Sequence, residues 1–236
     1  MTNSSVKTAQ PDYSRAVNEA LATLAIADFG TPRVSLAKLI GYMGSSVTAM
    51  SYGTAVSLGC PAFALYGGAK YAVSMSSGQD GRSMILYNDR MPLPTVRFSV
   101  AHELGHILLR HRQNADNYDA LEREADCFAR NLLCPVSTED YLGGFDGDPD
   151  AFVRVFGVSE YMAKICAVYR SSDYHYADKT LLTELTELTA DRIDAYFGAL
   201  KNDVKNAARP PASGIDRWLI DRSAEYAEDR FRYDEL

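Results

Sequence analysis

Positive charge is in short supply in this chain: 24 lysines and arginines stand against 31 aspartates and glutamates, a formal net charge of −7 over 236 residues. Nucleic-acid binding draws mainly on clustered basic side chains, so direct contact with DNA or RNA is not expected. Paired cysteines are lacking too. The four that occur, Cys60, Cys127, Cys134 and Cys166, are scattered through apolar stretches without CxxC spacing. That excludes a zinc ribbon or disulfide framework and reads as reduced, buried thiols. No basic head followed by an apolar run opens the sequence, and no segment reaches the roughly 18 uninterrupted apolar residues of a membrane-spanning helix. The expectation is a cytoplasmic protein that neither is secreted nor crosses a membrane. Internal repeats are absent as well.

What is present suffices for one core with appendages, since 47% of the residues are hydrophobic. The expected division is an N-terminal helical extension over 1–34, a main domain over 35–175 and a helical tail over 176–236. A helical pattern starts near Tyr13, with Ala16, Ala20, Leu21 and Leu24 near one face, and Gly30 and Pro32 stop it. A short helix fits 35–42. Residues 62–76 and 83–88 read as strands, and the SSGQDGR turn between them predicts an antiparallel hairpin. After Pro92 and Pro94, Thr95 is the expected cap of a helix over about 96–111, and a second helix covers about 120–133 until Pro135. Two short amphipathic helices follow at about 149–156 and 159–170, then one or two over 179–206. RPPASG at 209–214 reads as a linker before a last charged helix over 215–236.

The helix over 96–111 carries the sequence HELGH, an HExxH pattern. Side chains four apart stack one turn above each other, so His102 and His106 can present imidazole nitrogens to one divalent ion. Two imidazoles and one carboxylate leave a coordination position open for water, whose pKa the ion lowers towards about 7. Zinc suits that donor set best. Glu103, adjacent to a ligand, is placed to act as general base on that water. The third ligand is sought in LEREAD on the next helix. Glu122 and Asp126 share a face next to the apolar stripe of Leu121, Ala125 and Phe128, whereas Glu124 points roughly 200° away from Glu122. Glu122 is the favoured ligand and Asp126 the acceptor that orients one histidine; Glu124 is expected in solvent, although the choice between Glu122 and Glu124 stays open here. His111 lies five residues after His106, and Leu109 stands where a third-histidine motif needs glycine, so it is read as a surface or helix-end residue. His175, between two tyrosines, is a further candidate as a loop donor to a tetrahedral oxyanion. Gly105 inside the helix suggests a close backbone neighbour.

RFSVAHELGHILLRH followed by LEREADCFARNLLCP resembles the ImmA/IrrE family of metallopeptidases, with Cys134 where methionine is frequent. The resemblance runs over roughly 35–170, from the approach strand MILYN through AFVRVFGVSEYMAKICAVYR. It implies an α+β, zincin-like core of a small sheet with two ligand-bearing helices, zinc between them, and Glu103 catalytic. It also implies a substrate class, a repressor with a helix-turn-helix DNA-binding domain, whose cleavage releases gene expression. A non-catalytic metal-binding regulator acting by protein–protein interaction is the alternative. The segment 84–87 is expected to be an exposed edge strand that pairs with extended substrate. FGVSEYMAKICAVYR, poor in basic residues, is read as packing rather than DNA binding, with Ser159 as a helix cap. The tail leucines are read as a lid or a homodimer surface.

Overall fold

The computed structural model describes residues 10–26, 31–66, 68, 70–77, 80–112, 117–138 and 149–206. The linker at 209–214 and the helix at 215–236 fall outside these residues, as does the GGFDGD loop. The architecture is α+β and zincin-like, with a three-stranded mixed sheet, two long motif helices and a helical C-terminal region.

Helix α1, Tyr13–Ile26, buries Ala16, Val17, Ala20, Leu21 and Leu24, the face its periodicity predicts. Helix α2, Leu36–Tyr42, starts at Ser35, whose side chain accepts the Lys38 N–H. Strand β1, Val47–Ser51, was not expected, because its polar residues break the alternation that marks a strand. Ser51 then caps a short helix α3, Tyr52–Ser57. The expected strand over 62–76 divides in two. Its first part is a single helical turn, α4 at Ala62–Tyr66, and only Ala72–Ser76 forms strand β2. Strand β3, Ser83–Tyr87, pairs antiparallel with β2 as the turn chemistry predicts, and parallel with β1.

This strand order, β1-β3-β2, corrects the expected substrate strand. β3 is central, with hydrogen-bonding partners on both sides, so residues 84–87 cannot receive a peptide. The edge is β2. Burial agrees: Ser83, Ile85 and Leu86 are buried in β3, whereas β2 runs from half-buried to exposed.

Helix α5, Leu93–Leu108, begins three residues earlier than expected, at Pro92, with Pro94 in its first turn; Thr95 therefore lies inside the helix and does not cap it. It ends before His111. Arg110 enters the left-handed region at φ 55° and turns the chain back, so that the His111 N–H donates to the His106 carbonyl at 2.9 Å. Helix α6, Tyr118–Leu133, lies between α5 and α1. It therefore has two covered faces, not one. After the short turn Val136–Thr138 come α7, Pro149–Phe156, and α8, Glu160–Tyr176, which Ser159 caps by accepting the Met162 N–H. Gly157 joins them at φ +65°, a backbone conformation that demands glycine, while the Arg33 guanidinium lies over the bare Cα. Val158, Met162, Ala163 and Cys166 are buried, in keeping with a packing role for this segment.

The tail over 179–206 is one helix, α9, Lys179–Asn206. Its Leu182, Leu185, Ile193 and Phe197 belong to the common core, packed near α1 and the Val136–Thr138 turn, and Leu188 remains on the exposed face. Those four side chains thus serve the core rather than a free surface. Of the cysteines, Cys127, Cys134 and Cys166 are buried as expected, whereas Cys60 is exposed. No described helix is long and apolar enough to cross a membrane.

Candidate metal centre

Two helices build the centre, and a glycine lets them approach. A Cβ on Gly105 would stand 3.0 Å from Phe128 Cδ1 and 3.3 Å from both Cα and the carbonyl oxygen of Ala125, so the backbones of α5 and α6 touch only because that position is bare. From α5, His102 and His106 project one turn apart, their Nε2 atoms 3.0 Å from each other. From α6, Glu122 meets both: Oε2 is 3.4 Å from His102 Nε2, and Oε1 is 3.1 Å from His106 Nε2. Burial pushes the Glu122 carboxyl upward, but the two imidazoles outweigh it and hold the group well below the usual carboxylate range. Glu122 is ionised.

These three groups fit a divalent cation. Tetrahedral bonds of about 2.0–2.2 Å put ligand atoms roughly 3.3–3.6 Å apart, and the separations here, from 3.0 to 3.4 Å, are at or a few tenths of an ångström below that span. The chemistry points the same way. His102 Nδ1 lies 2.7 Å from Asp126 Oδ1, and since a carboxylate only accepts, Nδ1 carries a hydrogen, so that the neutral form of His102 has its lone pair at Nε2. A lone pair, a second imidazole nitrogen and a carboxylate then converge on one point. Such a cluster needs positive charge at its centre, either a shared proton or a metal ion.

Glu103 stands beside this cluster, half-buried, and accepts a hydrogen bond from Ser74 Oγ at 2.7 Å. Ser74 belongs to β2, so the edge strand and the carboxylate are physically linked. The cleft over them has a volume of about 820 Å³ and is lined by β2 together with faces of α5 and α6, with Lys70, Arg112 and Tyr118 among its lining side chains.

The structure thus brings together His102, Glu103, His106, Glu122 and Asp126. It does not bring His175 there. That residue sits in the last turn of α8, not in a loop; its side chain is exposed, its ring rests near Tyr176 at 6.1 Å, and it does not line the cleft. The proposed oxyanion donor role has no geometric support. Two residues assigned to the surface are instead internal. Glu124 is 5% exposed, because α1 covers the face of α6 opposite the metal cluster. The side chain of His111, 3% exposed, fits between His106 and Glu124: Nδ1 is 3.0 Å from His106 Nδ1, and Nε2 is 3.1 Å from Glu124 Oε2. Burial lowers the His111 pKa despite the opposing pull of Glu124, which favours the neutral ring. A single sequence signal could have flagged this pair: ionisable residues flanking a motif on an apolar helix need partners.

Residues 65–165 match the family model of the IrrE N-terminal-like domain, a peptidase domain. Neither the curated proteins nor the solved structures provide a match. The matched segment spans β2, β3, α5 and α6, and so contains every residue of the cluster just described. Over this segment the chain is similar to the IrrE N-terminal-like peptidase domain, which supports a metallopeptidase of the ImmA/IrrE type.

Proposed function

We propose that the protein is a zinc endopeptidase of the HExxH type, with His102, His106 and Glu122 as ligands and Glu103 as general base. The convergence of three ligand atoms beside a carboxylate held by the edge strand carries this reading. A bound zinc ion would supply Lewis acidity, lowering the pKa of a water molecule and polarising a carbonyl. The rest falls to the chain. Glu103 takes the proton of the attacking water at its carboxylate and returns it to the leaving amine. Ser74 keeps that carboxylate facing the cluster. The outer edge of β2 pairs with the substrate backbone, and the cleft side chains select its sequence. Two imidazoles and a carboxylate are the donors zinc prefers, although other divalent ions use them too.

The proposed substrate is a helix-turn-helix repressor whose cleavage relieves repression, a role suggested by the family and by an edge strand beside the cleft. The test takes a helix-turn-helix repressor from the same genome, starting with the products of the neighbouring genes, and incubates it with zinc-loaded wild type and Glu103→Gln. Discrete fragments are expected with wild type alone, slowed by about 10²–10⁴-fold in the variant, with zinc retained in both. An intact repressor with fully loaded wild type would sink the substrate assignment. Equal cleavage by both proteins would sink the role of Glu103. The alternative of a non-catalytic regulator gives no reason for the Ser74–Glu103 bond.

A further inference from the structure

The two histidines of the cluster are supported in unlike ways. His102 is held directly by Asp126 from α6. His106 is held by a chain of hydrogen bonds that leaves the cleft and ends in a different helix. His106 Nδ1 meets His111 Nδ1 at 3.0 Å, His111 Nε2 meets Glu124 Oε2 at 3.1 Å, and Glu124 Oε1 accepts the Asp12 backbone N–H at 3.0 Å. Asp12 also caps α1, its Oδ1 accepting the Arg15 N–H at 2.9 Å. The Arg15 guanidinium donates to the Leu109 carbonyl, where α5 ends and the turn to His111 begins.

The carboxylate at the far end sets the direction of this chain. A carboxylate at Glu124 can only accept, so a His111 ring with one hydrogen holds it at Nε2 and offers its lone pair at Nδ1. His106 Nδ1 must then donate to it. That leaves Nε2 of His106 with its lone pair pointing at the cluster, the form a metal requires.

We propose that His111 and Glu124 are positioning residues for His106, selecting the tautomer that frees Nε2 for the metal, and that the N-terminus of α1 locks this relay through Asp12 and Arg15. The proposal rests on the metal-site reading above and extends it to residues that touch neither metal nor substrate.

The discriminating pair is His111→Asn against His111→Leu. Both side chains branch alike, and only asparagine keeps an acceptor, Oδ1, where His111 Nδ1 stands. Zinc affinity is measured by competition with a chromophoric chelator on full-length protein, with His106→Ala as the control that removes a ligand. The leucine variant should bind zinc about 10–100-fold more weakly than wild type, and the asparagine variant should stay within a few-fold. Equal losses in both, or no loss in leucine, overturn the proposal. Wild type binding no better than His106→Ala overturns the metal site itself, which separates the two failures. Should leucine prevent folding, nitrogen-15 spectra of wild-type imidazoles in the metal-free protein decide alone. His106 protonated at Nδ1 supports the relay, and a bare Nδ1 refutes it.

Discussion

Helix α6 carries two polar clusters, and they are opposites. Near its N-terminus, Glu122 faces two imidazoles beneath an open cleft. Near its C-terminus, Arg130 and Asn131 close around Asp173 of α8: Arg130 Nε and Nη2 donate at 2.6 and 2.8 Å, and Asn131 Nδ2 at 3.0 Å. Burial pushes the Cys127 thiol up to about 12, so it keeps its hydrogen and lies 3.9 Å from the same carboxylate. In the second cluster several donors meet one acceptor and the charges cancel. In the first, acceptors meet acceptors and the charge is unbalanced. Both are largely buried and both join separate helices, so burial does not distinguish them. The charge balance does: the guanidinium and carboxylate of the structural cluster match each other, whereas the binding cluster is matched only with something added.

The largest expected effect tests the closed cluster. Asp173→Ala leaves a guanidinium only 8% exposed without its carboxylate, and should cost about 3–5 kcal/mol in urea unfolding. Zinc affinity of the folded protein should not change. Replacing the pair together, Arg130→Met with Asp173→Leu, should cost less than the single change. A larger loss in the double variant would show that the ion pair is favourable in its own right.

The open cluster should respond to what fills it. Adding zinc at about 100 times its dissociation constant should raise stability by about 2.7 kcal/mol, read as the difference between zinc-loaded and chelator-treated unfolding curves. Glu122→Ala should abolish that increment. An undiminished increment in the variant would move the third ligand elsewhere. Next comes Gly105→Ala, where the added methyl meets Phe128 and Ala125. Overpacking of this kind costs about 1–3 kcal/mol, and the better helix propensity of alanine returns up to about 1 kcal/mol. Because the helices that part are those bearing the ligands, zinc affinity should fall as well. The smallest effect is that of Ser74→Ala, which removes the bond to Glu103. Hydrolysis should slow roughly fivefold, about 1 kcal/mol, with zinc affinity unchanged.

Legibility of the sequence followed the range of the interaction. His102, Glu103 and His106 could be placed on one helical face because that geometry is local. Asp126 could be given to a histidine because residues 122 and 126 share a face. Glu124 was misjudged because the helical wheel shows where a side chain points but not what covers it, and α1 docks on that side from far away in sequence. His111 was misjudged for a related reason. Its usefulness depends on the helix stopping at Leu108 and on Arg110 turning left-handed, and neither leaves a mark such as glycine. His175 failed as a site residue because the helix it was thought to follow extends through it to Tyr176.

By itself the sequence determined the helical pairing of His102 with His106, the acidic partner helix, the β2–β3 hairpin and the cap at Ser159, since each depends on residues within a turn or two of one another. Only the tertiary structure decided that β3 is central and β2 the edge beside the cleft, that α6 has two buried faces, and that His111 and Glu124 stand behind His106. Strand order and helix docking join residues far apart in the chain, and the energy that selects among such arrangements comes from packing the whole core, which no short stretch of sequence contains.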